Sequence, residues 1–151
     1  MNRIVCVGNG YVDQDSAGSR VFDRLSTFPI PPGVEVLNAG LAGLDVLPLA
    51  EGMDRVIFVD NVIGCAPAGS VVLLGAEQAA ANAPRAFGHD AGLAYALAML
   101  PSVCDHPPRV VHVVGLEGPV SEHTIDQAAQ LALELVCERG PDATRAMGGM
   151  S

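Results

Sequence analysis

The chain has 151 residues, 50% of them hydrophobic and only 17% charged, with a mean hydropathy of +0.35. That is the length of one domain, with enough apolar residues to fill a core. A formal charge of -9, with only eight Lys and Arg, argues against nucleic acid or an anionic membrane surface as partners. No apolar run reaches the roughly 18 residues that a membrane helix needs.

The excess acid keeps so apolar a small protein soluble, and it leaves room for a basic partner segment. The four cysteines, Cys6, Cys65, Cys104 and Cys137, have no CxxC spacing and do not resemble a zinc set. Cys6 and Cys137 sit inside apolar patterns, as small buried side chains do. The opening IVCV is too short for a signal-peptide core and reads as a strand. A reduced, soluble, cytoplasmic protein is expected.

Residues 3–8, RIVCVG, form a short apolar run rich in β-branched side chains, the mark of a strand buried on both faces. The turn Gly8-Asn9-Gly10 follows, and then two carboxylates, Asp13 and Asp15. Glycine-rich turns between a strand and a helix often cradle phosphate, but these carboxylates would repel one. Asp15 or Ser16 can cap a helix that carries Ala17, Val21 and Leu25 at helical spacing. IPPG ends that helix, and VEVLNAG (34–40) is a second strand ending near Asn38. LAGLDVLPLAEG (41–52) predicts a short helix around Pro48, and DRVIFVDNV (54–62) a third strand ending on Asp60.

Only nine residues, NVIGCAPAG (61–69), precede the next strand, SVVLLG (70–75). Parallel strands need a crossover of roughly a dozen residues or more, so this fourth strand is expected to run antiparallel. EQAAANAPRAFG (77–88) reads as loop, and HDAGLAYALAML (89–100) as a helix with Leu93, Leu97 and Leu100 on one face. RVVHVVGLEG (109–118) is a fifth strand. The clearest helix lies in SEHTIDQAAQLALELVCERG (121–140), with Ser121 as cap, Glu122 in the first turn and Gly140 as stop. Its Ile125, Ala128, Ala132 and Leu135 form one stripe. Residues 1–138 are thus expected to make a single α/β domain, and residues 139–151 a flexible C-terminal tail.

Alternating strands and helices with continuous apolar strands predict a three-layer α/β/α sandwich around a mostly parallel five-stranded sheet with one antiparallel strand. Ligands bind such sheets at the carboxyl ends of the parallel strands. The polar residues that converge on that edge are Asn9, Asp13, Asp15, Asn38, Asp60, His89 and Glu117. Asp60 emerges from a buried strand, where a carboxylate is solvated, paired or metal-bound, or else caps the turn that follows. Asp15 equally suits a routine N-cap. His89 is either an exposed loop residue or, kept neutral by the positive end of a helix, a metal ligand. Glu117 either orients a ligand or caps its loop.

Two carboxylates and one imidazole suit nickel or zinc better than calcium or magnesium, and they leave coordination positions open. The sequence carries no GxGxxG, no GxSxG elbow and no Walker A loop. No Ser or Cys nucleophile with a paired base is evident. His106, His112 and His123 read as a loop residue, a structural strand residue and an exposed helix residue.

Five segments, in chain order, resemble the hydrogenase maturation proteases. VGNGYVDQDSAGSRV is similar to that family's first motif, roughly G-x-x-N-x-L-x-x-D-E-G-x-G, and LNAGLAG to its D-G-G-T-x-G segment. VIFVDNVIGCAPAG resembles its V-I-x-V-D-A stretch with a short Pro-Gly connector, HDAGLAYAL its H-x-x-G-L helix start, and VVGLEGPV its V-G-V-x-P. The resemblance covers about residues 4–135. It implies a twisted five-stranded sheet between helices with one antiparallel strand. It also implies an endopeptidase that trims the C-terminal extension of a nickel-containing hydrogenase large-subunit precursor.

In that family a Glu, an Asp and a His recognise nickel already loaded into the substrate. The resemblance therefore implies that Asp15, Asp60 and His89 meet a substrate-borne nickel, with Asp15 and Asp60 catalytic and no organic cofactor. Asn9, Gly10 and Gly40 are expected to let the substrate backbone approach, with Asn38 and Glu117 also in contact with it. The chain departs from the pattern at Asp15, where the family carries Glu, and at Gln14, where Asp usually precedes it. It departs again at Asn38, usually Asp, and Leu41, usually Thr. Those departures keep a second reading open: a non-catalytic accessory protein that binds or checks the metallated hydrogenase subunit.

Overall fold

Strands that carry Ile and Val on both faces are stable only when helices cover both faces. The computed structural model describes residues 1–8, 17–40, 46–81 and 91–138 and has that arrangement. The elements in chain order are β1 (Asn2–Val7), α1 (Ala17–Leu25), β2 (Val34–Gly40), α2 (Leu47–Ala50), β3 (Arg55–Val62), β4 (Val71–Gly75), α3 (Ala76–Ala81), α4 (Ala91–Val103), β5 (Val110–Glu117) and α5 (Glu122–Cys137). The strands form one sheet in the order β2-β1-β3-β5-β4. Neighbours are parallel except β4, which runs antiparallel to β5. The short connector after β3 thus does what its length requires.

Each face of the sheet has its own apolar layer. On one, Ile4, Cys6, Ile57, Val59, Val114 and Leu116 pack beneath α1 and α5. On the other, Val5, Val7, Val56, Phe58, Val62 and Val113 pack beneath α2, α3 and α4. The buried stripe of α5 contains Ile125, Ala128, Ala132 and Leu135, and the Ser121 hydroxyl accepts the Thr124 N–H at 3.2 Å. That bond satisfies one of the donors a helix start leaves open. Among the described residues no helix is long and apolar enough to cross a membrane.

Several elements differ from expectation, each for a physical reason. The segment read as loop after Gly75 begins with helix α3. Its AEQAAA sequence is rich in the best helix former, and Gln78 Oε1 reaches back to accept the Gly75 N–H at 2.9 Å. Helix α4 runs three residues past Leu100, through Pro101 near its exposed end, and the Cys104 N–H still bonds the Leu100 carbonyl at 3.1 Å. Strand β3 continues past Asp60 to Val62. Cys137 is exposed rather than buried, because two positions beyond Leu135 a helix faces away from its buried stripe. Helix α5 ends at Cys137; its expected stop, Gly140, and the tail from residue 139 lie outside the described residues.

Helix α1 lies unusually close to the sheet. A Cβ on Gly18 would stand 2.1 Å from the Val7 carbonyl oxygen, a backbone atom that cannot step aside. Gly18→Ala is therefore expected to lower the unfolding free energy by about 1–3 kcal/mol, as overpacking does. Urea denaturation read by circular dichroism checks this, and an unchanged midpoint would mean that α1 lifts from β1 without penalty.

Candidate active site

The site begins where β1 leaves the sheet. The last β1–β3 partners are Cys6 and Val59; beyond them β3 pairs only with β5, through Asp60–Gly115 and Val62–Glu117. Strand β1 ends on Val7, and the next residue, Gly8, at φ 140°, donates its N–H to the carbonyl of Gly40, at φ 59°, over 2.8 Å. Both glycines hold backbone angles that side chains disfavour. From β1 the chain goes to β2 on one side and then returns to β3 on the other. The carboxyl ends of β1 and β3 are thus the switch point of the sheet, where such folds open a crevice for ligands.

Asp60 stands one residue beyond that parting. Strand alternation sets it on the face of Val56, Phe58 and Val62, the face that α4 covers. It is 1% exposed, and its Oδ1 accepts the Asn61 N–H at 2.8 Å. Because β3 runs on for two residues, Asp60 is not the cap of a turn at the strand's end. A carboxylate this deep carries a desolvation penalty that only a close electrostatic partner offsets.

The other expected ligands flank this position in sequence. Asp15 precedes the first residue of α1 by two positions and His89 precedes the first residue of α4 by two; both lie outside the described residues, as do Asn9, Gly10 and Asp13. Asn38 is described and exposed, with its Oδ1 accepting the Gly40 N–H at 3.3 Å. Alternation from Val34 and Val36 sets Asn38 on the α1 face of the sheet, opposite the face of Asp60. The structure thus brings Gly40 and Gly8 together at the edge but divides Asn38 and Asp60 between two faces.

Glu117 works on the β3–β4 connector. It is 8% exposed, its Oε1 accepts the N–H groups of Cys65 at 2.7 Å and Ala66 at 3.1 Å, and its Oε2 accepts that of Gly64 at 3.2 Å. Its backbone also bonds Gly69 and Ser70. The loop-capping alternative for Glu117 matches this geometry, with both oxygens engaged by the β3–β4 connector.

No described group offers an activated thiol. Burial, then the charges of Asp23 and Asp60, push the Cys6 thiol up to about 12. Burial and Glu117 raise Cys65; burial, Glu51 and Asp105 raise Cys104; burial raises Cys137. A raised thiol is a poorer nucleophile at neutral pH because less thiolate is present. His112, half-buried on β5, is held below its usual range by burial and then by Arg55, so it stays neutral. His106 and His123 are exposed, as expected.

One polar side chain escaped the sequence reading. Asn61 Oδ1 accepts the N–H of Ala17, the first residue of α1, at 3.2 Å, and its Nδ2 reaches the Leu116 carbonyl at 3.4 Å. Its only sequence signal is an amide directly after Asp60 in a strand that continues.

The sequence matches the HycI hydrogenase maturation protease family over residues 20–140. It is 26% identical over 153 residues to the hydrogenase 2 maturation protease of Escherichia coli strain K12, covering 93% of each chain. The fold is similar to that of the hydrogenase maturating endopeptidase HybD from E. coli, with a TM-score of 0.71 and 24% identity, over 97% of this chain and 93% of that one. A solution structure of an endopeptidase from E. coli is similar at a TM-score of 0.66 and 26% identity, over 97% and 94%.

The Glu117 clamp makes a direct prediction. In Glu117→Ala the amides of Cys65 and Ala66 lose an ionised acceptor, so their hydrogen exchange should accelerate by about tenfold or more. Exchange measured by NMR at those two amides is the check; unchanged protection would mean that other contacts hold the connector.

Proposed function

The chain belongs to the hydrogenase maturation protease family, and from that premise we propose that it is an endopeptidase removing the C-terminal extension of a nickel-containing hydrogenase large-subunit precursor after nickel insertion. The observation that carries this reading is Asp60: a carboxylate almost wholly buried at the β1/β3 switch point, inside the matched segment. A charge this deep carries a desolvation cost, and the end of a strand at the switch point is where a ligand can meet it. It suits an ion brought in by a partner.

In this reading the nickel draws its protein ligands from Asp15, Asp60 and His89. The nickel arrives as part of the substrate, so the protein needs only to recognise it and present the adjoining peptide. Borderline ions of that kind accept mixed oxygen and nitrogen donors. A metal beside the scissile bond polarises its carbonyl or acidifies a water. Whichever aspartate stays outside the coordination sphere takes the water's proton as its oxygen adds to the carbonyl carbon, and the carbon–nitrogen bond then breaks with that proton passing to the leaving amine. Gly8 and Gly40, with no side chains at the edge, leave space for an extended substrate backbone. The raised thiols favour attack by water over a cysteine nucleophile.

Asn38 favours a second reading. An amide stands where the family pattern carries a carboxylate, and it cannot accept a proton from water. If that position is needed for chemistry, the chain escorts or checks the metallated subunit instead of cutting it.

Mass spectrometry of a nickel-loaded precursor incubated with the protein separates the two. The expected result is loss of one discrete C-terminal peptide, absent without nickel and slowed by about 100-fold or more in Asp60→Ala or His89→Ala. Trimming by both variants at the wild-type rate would overturn the protease assignment of these residues. A stable complex with no shortening would establish the escort.

A further inference from the structure

The two edges of the sheet are unlike. Strand β2 carries Glu35, held by Arg3 Nε at 2.8 Å, whereas β4 (VVLLG) carries no charge and leaves Leu73 43% exposed. Charged side chains on an edge strand deter pairing with another chain, and β4 has none. The Glu117 N–H bonds the Ser70 carbonyl at 3.0 Å, which sets the alternation along β4. Val72 and Leu74 turn their backbone groups to β5; Val71 and Leu73 turn theirs outward, past the last strand of the sheet. The next outward N–H, that of Gly75, is taken by Gln78 at 2.9 Å, so the open stretch is short. Beside it, between β4 and α5, lies a groove of about 530 Å³ lined by Ser70, Val71, Gln127, Gln130, Leu131 and Glu134. The Gly69 carbonyl accepts the buried Thr124 hydroxyl at 2.8 Å, which pins the start of β4 to α5 there.

We infer that the β4 edge and this groove form a docking site for an extended segment of the hydrogenase precursor, which adds to the sheet as a further strand. This rests on the reading that a precursor polypeptide is the substrate. The outward N–H and C=O groups of Val71 and Leu73 are matched by another extended backbone. Val71 packs on the α5 face, and alternation sets Leu73 on the same face. Alternate side chains of the docked segment meet that face, where Leu73 and Leu131 favour an apolar residue and Glu134 a Lys or Arg. Charge and size select the occupant. The chain carries a formal charge of -9, so a second copy would set like charge against like. The open stretch also falls short of the roughly 800 Å² per partner of a stable dimer. A substrate already held elsewhere needs only a modest second contact, because tethering raises its local concentration to about millimolar. Both contacts fit one polypeptide. Asp60, Gly115 and Val72 lie in one row across the sheet, so a strand added to β4 stands three strand spacings from β3, roughly 14 Å. About five extended residues span that distance.

The test uses the full chain and the nickel-loaded precursor, with trimming and affinity measured separately. Leu73→Lys charges the edge and Glu134→Arg reverses the groove. Each is expected to raise KM and Kd about five- to tenfold with kcat within about twofold. Both residues are exposed, so neither change removes core packing. Hydrogen exchange on the wild-type chain reads strand addition directly: the bound precursor should slow the Val71 and Leu73 amides by about tenfold or more. Unchanged KM and Kd in both variants, or amides at 71 and 73 that the precursor leaves unprotected, overturn the inference while the protease reading stands. A wild-type chain that binds the precursor without trimming it sinks the protease reading, and the docking site is then decided by Kd and exchange alone. A wild-type chain that neither binds nor trims overturns both. A concentration-dependent dimer that Leu73→Lys abolishes gives the edge to a second copy and overturns the inference as well.

Discussion

Burial of both faces of the sheet is the constraint on which everything else depends. Once α1 and α5 cover one side and α2, α3 and α4 the other, the central strands have no free face left, and a ligand meets them at their ends. At most of the sheet the ends are occupied by connectors. At the parting of β1 and β3 the chain leaves β1 in one direction and reaches β3 from the other. The position of Asp60 follows from that parting and from the extra length of β3.

Two buried carboxylates at this edge show how burial alone does not identify function. Glu117 collects three backbone N–H groups and holds the connector between Val62 and Val71 in shape. Asp60 accepts the N–H of Asn61, its own neighbour, and stands where β1 and β3 part. Similar exposure, different partners: the first is a structural anchor and the second is the better candidate for contact with a ligand. Glu117 is itself the pairing partner of Val62, the last residue of β3, so the anchor also steadies the strand end on which Asp60 stands.

The parts legible in sequence were those governed by local pattern. Continuous runs of Ile and Val marked the buried strands, the 3.6-residue stripe from Ile125 to Leu135 marked α5, and the length of the connector at residues 61–69 gave the direction of β4. Asp60 was legible as a charge at the end of an apolar strand. Helix α3 was missed because its alanines show no apolar periodicity, and its support comes from one glutamine reaching back to Gly75. Asn61 was missed because its partners, Ala17 and Leu116, lie 44 and 55 residues away in the chain, and no local window contains them. Gly18 looked like an ordinary weak helix residue; the reason for it is a carbonyl on another element. The pairing of Asn38 with Asp60 in one site follows from both ending parallel strands, but strand ends do not reveal faces, and one residue of register decides the face.

The parallel pairing has a kinetic side. Ile4 lies beside Ile57, and Ile57 beside His112, so each step across the middle of the sheet joins segments more than fifty residues apart. Chains built from such distant contacts close large loops before they gain much stability, and they fold slowly for their size. The burial of Asp60 on β3 needs the neighbouring strand β5 in place, which makes it a late feature of folding. That carboxylate acquires its buried setting only once a strand from the last third of the chain has paired beside it.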